Sequence, residues 1–141
     1  YEDSVRIKSY NMDDPEFCVS LNGFTKDEHI KKDFLDIFSG GFEGRKKGDS
    51  ITFRFTGTGI AAQYKRTIIQ PAPIATAVVD DDMEHPIILD GNFDETWGDC
   101  LYMDVLGRHL ELKEHKVVIT ITETHDDDKG PFYLTSLIVS K

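Results

Sequence analysis

The chain has 141 residues, of which 39% are hydrophobic and 11% aromatic, enough for one domain with a real core and too apolar for a disordered segment. Its 26 acidic residues outnumber 16 basic ones, for a formal net charge of −10, which excludes a surface built to grip a phosphate backbone. No apolar run approaches the roughly 18 residues that a membrane-crossing helix needs, so neither nucleic acid nor membrane is an expected partner.

Residues 5–10 and 17–21 read as short strands. Residues 25–39 differ: Ile30, Phe34, Ile37 and Phe38 fall on one helical face, Thr25 and Glu28 form a capping-box pattern, and Gly40 and Gly41 follow. One helical insertion over about 25–39 is therefore expected. Beyond it the period is two. Ile51, Phe53 and Phe55 alternate with Thr52, Arg54 and Thr56, putting one face on a core and the other in water. Residues 60–66, 74–80, 86–89 and 100–106 continue the pattern. Val117, Ile119 and Ile121 then alternate with Val118, Thr120 and Thr122, and 132–139 closes the set. Phe53, Phe55, Ile119 and Ile121 are expected to point inward and touch across two sheets. About nine strands, separated by Gly, Asp and Asn turns, predict an antiparallel β-sandwich. Residues 1–141 form a single domain with no repeat or internal linker. It starts at Tyr1 rather than Met, as expected for a piece of a longer protein or a processed chain.

The five letters GDSIT at 48–52 match the way the nucleophile block of an SGNH esterase begins. In those enzymes the serine follows an apolar parallel strand and opens a helix that helps activate it. Here 43–47 is polar and the strand comes after Ser50. An Asp-x-x-His string does occur, at Asp82 to His85, but only about thirty residues on, too near for an intervening α/β domain. Ser50 is therefore expected to leave a turn and start a strand, with no base in reach.

The same stretch carries a different resemblance. GDSITFRFTGTGI (48–60), VVDDD (78–82), LKEHKVVITI (112–121) and KGPFYLTSLIV (129–139) resemble the jelly-roll, galactose-binding-like β-sandwich that accompanies SGNH hydrolases. The N-terminal domain of family 2 carbohydrate esterases is the nearest case. The matching positions run from Gly48, Ser50, Phe53 and Phe55 through Gly57, Thr58, Ile60, Val79 and Asp80 to Glu114, His115, Val117, Ile119, Gly130 and Phe132. Residues 43–140 carry the likeness; the first forty match nothing recognisable. The resemblance implies an accessory domain in a secreted or cell-surface carbohydrate-active protein, without the catalytic serine domain. Its physical content is structural: Gly57 and Gly59 suit a turn needing positive φ or close strand approach, and His115 suits a hydrogen bond to neighbouring backbone.

Sugars are held by aromatic faces against their C–H patches, with carboxylates, amides and Arg taking the hydroxyls. The stretch DGNFDETWGDC (90–100) has that makeup, with Phe93 and the single tryptophan, Trp97, among Asp94 and Asp99. Tyr64 and Arg66 in QYKR (63–66) add to it. These six residues are the candidate ligand contacts, although Trp97 could equally plug the core and Tyr64 sit on a strand face. Asp126, Asp127 and Asp128 are the candidate calcium ligands, against the alternative of a solvated turn. The five histidines have no zinc spacing, and Cys18 and Cys100 could pair or stay free. The function expected is a non-catalytic, carbohydrate-binding or accessory module of an SGNH esterase or glycoside hydrolase. Its partners would be a carbohydrate such as a plant cell-wall polysaccharide and the neighbouring catalytic domain. The alternatives are a structural spacer and a small jelly-roll enzyme of esterase or cupin type.

Overall fold

The computed structural model describes residues 4–7, 19–26, 41–67, 71–92, 100–128 and 130–140. The expected helix over 27–39, the loop 93–99 with Phe93, Asp94, Trp97 and Asp99, and Cys18 lie outside them. Thr25 and Lys26, expected to open that helix, are instead a two-residue strand.

The described residues are all-β, in eleven strands: β1 (Ser4–Ile7), β2 (Ser20–Asn22), β3 (Thr25–Lys26), β4 (Phe42–Gly44), β5 (Ser50–Gly57), β6 (Gly59–Arg66), β7 (Ile74–Val79), β8 (Ile87–Asp90), β9 (Cys100–Gly107), β10 (Lys113–Glu123) and β11 (Phe132–Ser140). They form two antiparallel sheets. One runs β3-β4-β11-β6-β9 with β1 also on β11, and the other runs β2-β5-β10-β7-β8. β3 and β4 are too short to show a period, which is why the alternation did not reveal them.

The sheets face each other through the side chains that the two-residue period marked. Ile51, Phe53 and Phe55 of β5 and Val117, Ile119 and Ile121 of β10 are all buried. They are neighbours within one sheet, not partners across two: Val117 pairs with Phe53 and Ile119 with Ile51. The contact across the sheets is instead Phe42 of β4 against Phe53, edge to face at 5.8 Å. β11 breaks the alternation, because residues on both of its faces are buried from Phe132 to Leu137. A register shift between Leu134 and Ser136 brings Leu134 and Leu137 onto the same face.

Gly57 and Gly59 flank Thr58, where the chain crosses from β5 in one sheet to β6 in the other, and they suit close approach rather than positive φ. A Cβ on Gly57 would sit 2.6 Å from the Ser140 carbonyl oxygen, and one on Gly59 2.5 Å from its Oγ. Gly48 does have positive φ, 97°. Its amide bonds the Ile121 carbonyl at 2.8 Å, and Asp49 accepts from the Lys46 amide at 3.0 Å. The Gly-Asp-Ser string is thus the turn into β5.

Candidate functional site

Three polar clusters stand out from the framework. The first lies where β6 ends and β9 begins. Arg66, the last residue of β6, donates from Nε and Nη2 to the Asn92 carbonyl at 3.1 and 2.9 Å. Asn92 is itself clamped: Oδ1 accepts from the Ala72 amide at 2.8 Å, while Nδ2 donates to the Ala72 carbonyl and to Asp90. Thr67 bonds the Gly91 carbonyl at 2.8 Å, so the chain before β7 and the chain after β8 are tied together. The Arg66 guanidinium carbon lies 4.9 Å over the ring of Tyr102.

Tyr102 pairs in register with Tyr64, and their rings meet edge to face at 5.7 Å. On its other side the Tyr64 ring stacks on Phe132, also at 5.7 Å. The Tyr64 hydroxyl donates to Asp104 Oδ2 at 2.7 Å. Burial, followed by that hydrogen bond and the carboxylate's charge, holds the Tyr64 hydroxyl far above the ordinary phenol range. Tyr64 is only 2% exposed. Of the two readings left open for it, the strand-face one fits: Tyr64 is a buried support and not an exposed ligand contact, because its ring faces the core on a central strand. Tyr102, by contrast, is 39% exposed. Neither Tyr102 nor Asp104 was picked out from the sequence; the signal available was their i, i+2 spacing on one strand.

The second cluster is the turn from β7 to β8. Asp80 and Asp81 both have left-handed backbone, φ 52° and 59°, a conformation that Asp tolerates better than most residues. Asp80 accepts from the Lys116 amide at 2.9 Å and its other oxygen lies 2.6 Å from His115 Nδ1. The far ring nitrogen of His115 lies 2.6 Å from the Glu111 carbonyl, so this buried ring bridges two acceptors, in the structural role expected. Burial raises the Asp80 carboxyl, but the Lys116 amide and His115 outweigh it and hold the group below its ordinary range. Asp82, Glu84 and His85 bring their ligand-type atoms within 4.8 Å of one another. They border an open cleft of about 640 Å³ floored by Leu106 and Leu110.

This turn does not serve Ser50. Asp82 holds His85 at 3.0 Å within the turn itself. The turn closes on the Lys116–Arg54 row, while Ser50 pairs with Thr120, four residues further along. Strand rise makes that about 13 Å, beyond the reach of a general base.

The third cluster is the turn after β10. Asp128 accepts from the His125 amide at 3.0 Å, and its other oxygen lies 2.9 Å from His125 Nδ1. The hydrogen bond to Asp128 raises the His125 pKa above its ordinary value, outweighing slight desolvation. Asp126 and Asp127 are exposed. The three carboxylates are not gathered as a ligand set: Asp82, Glu84 and His85 are the convergent trio among the described residues. No described helix is long and apolar enough to cross a membrane.

No protein-family model matches the chain, and no curated protein does. Solved structures do. The chain is 44% identical, across 100% of its length, to a two-domain esterase (CEX) active on acetylated mannans and co-crystallised with mannopentaose, with a TM-score of 0.90; it spans 38% of that protein. A family two carbohydrate esterase from Cellvibrio japonicus is 16% identical over 97% of this chain and 33% of the esterase, with a TM-score of 0.60. The CBM36-1 domain of a multidomain xylanase from the hindgut metagenome of Trinervitermes trinervoides is 9% identical, with 99% and 98% covered and a TM-score of 0.53. The last two likenesses are in fold alone. The chain therefore spans well under half the length of the esterases that it matches. The resemblance to a β-sandwich accessory domain of carbohydrate esterases holds, and the first forty residues, which matched nothing recognisable, are covered as well.

Proposed function

We propose that the chain is a non-catalytic, carbohydrate-binding accessory module of a secreted esterase, and that a neighbouring domain carries out the reaction. The observation that carries this reading is the 44% identity across the whole chain with 38% of an esterase active on acetylated mannans. Its ligand is then a mannan-type plant cell-wall polysaccharide. The net charge of −10 suits a neutral chain, which is bound by stacking and hydrogen bonds and not by charge attraction. The loop 91–99, with Phe93, Asp94, Trp97 and Asp99, supplies the recognition surface. The Arg66–Asn92 clamp at its root supports the loop.

Electrophoresis through native gels cast with and without acetylated mannan tests the binding, and p-nitrophenyl acetate tests the absence of catalysis. The expected results are retardation by the mannan gel and no turnover above buffer. Turnover that disappears in Ser50→Ala would make the domain an enzyme. Equal migration in both gels would make it a spacer.

A further inference from the structure

Among the described residues β9 is an edge strand of its sheet, and its inward face carries Tyr102, Asp104 and Leu106 in turn. Leu106 is buried and Asp104 half-buried, while Tyr102 stays 39% exposed at the lip between the sheets. An exposed tyrosine on an edge strand is ordinarily free to change rotamer. This one is held. Arg66 lies over one face of the ring at 4.9 Å and is fixed by two hydrogen bonds to Asn92. The Tyr64 ring meets it from the side and is fixed by Phe132 and Asp104. A rigid aromatic plane loses little entropy when a ligand stacks on it.

Asp104, two residues along, stands about 7 Å away by strand rise, the span of a pyranose ring with its hydroxyl. Its carboxylate takes the Tyr64 hydroxyl on Oδ2, and a carboxylate has acceptor sites for more than one donor. We propose that Tyr102 and Asp104 form a subsite for one neutral pyranose. The C–H face of the sugar stacks on the ring face opposite Arg66, and a hydroxyl donates to Asp104. Arg66 and Tyr64 are positioning residues. The subsite selects against uronic acids, whose carboxylate would approach Asp104 with like charge. This rests on the carbohydrate-binding reading above and adds a strand-borne subsite to the surface proposed there.

The test is a two-dimensional NMR titration of the whole chain with mannopentaose, and with oligogalacturonate as the acidic control. The expected result is that amides of Arg66, Tyr102, Met103 and Asp104 shift with mannopentaose and not with the uronide. Tyr102→Ala should weaken binding about tenfold, while Tyr102→Phe, which keeps the plane, stays within about threefold. Asp104→Asn should let the uronide bind. If the wild-type chain binds mannopentaose with shifts confined to other residues, or if Tyr102→Ala binds as tightly, the subsite is wrong and the module reading survives. If the wild-type chain binds no neutral oligosaccharide, both fail.

Discussion

Replacing Tyr64 by Phe removes one oxygen and leaves the ring in place, between Phe132 and Tyr102. What is lost is the donor to Asp104 Oδ2 at 2.7 Å. A hydrogen bond to a charged acceptor contributes roughly 1.5–3 kcal/mol, so the variant should unfold earlier in urea at pH 7 by about that amount. The same bond fixes a pH dependence. The folded-state pKa of Tyr64 is raised, by burial first and by Asp104 second. Its contribution is therefore complete below the unfolded value, about 10, and is lost as pH rises beyond it. The loss is roughly 1.4 kcal/mol for each pH unit above that point. The Phe variant lacks this group and does not share the loss. The stability gap between the two proteins should thus narrow by about 1.4 kcal/mol between pH 7 and pH 11. Urea denaturation at both pH values reads the gap directly, and taking the difference cancels every other titrating group. A gap of the same size at both pH values would mean that Tyr64 ionises freely in the folded protein, and the buried support for Tyr102 would be wrong.

Phe53→Ala removes the side chain that meets Phe42 across the sheets and should cost about 3–5 kcal/mol in urea denaturation, against under about 0.5 for Thr52→Ala on the other face of the strand. Similar small losses at both positions would refute the strand faces. His125 should titrate above its ordinary value because of Asp128. The stabilisation from this pair is present at pH below about 6.5 and disappears as pH rises through the shifted value. An NMR titration of the His125 ring checks this, and Asp128→Asn should return the ring to an ordinary midpoint.

The fold was legible wherever burial has two different faces. β5 and β10 alternate cleanly because one side meets the core and the other meets water. β11 lies between strands and is buried on both faces, so residues 132–139 read as a strand without telling which face meets the core, and β3 and β4 are too short to show a period. The face that Tyr64 takes is hidden for a related reason. Ala61 and Ala62, on opposite faces of β6, are both buried, so the strand does not say which face Tyr64 takes. Asp126 to Asp128 have a composition that serves turns and cations alike. Only coordinates reveal that Asp128 bonds the His125 amide and ring, and that Asp80 in the β7–β8 turn bonds Lys116 and His115. The Asn92 clamp was out of reach altogether, since its partner Ala72 stands twenty residues away with no motif to connect them.

If this β-sandwich binds a neutral glycan and performs no chemistry of its own, free oligosaccharide should suffice to saturate it. Calorimetric titration of the chain with mannopentaose tests it most directly. The expected result is saturable 1:1 heat with a dissociation constant of roughly millimolar to tens of micromolar, as for a stacking platform with a few hydrogen bonds. Heat no greater than dilution, at protein concentrations where millimolar binding is measurable, would contradict it.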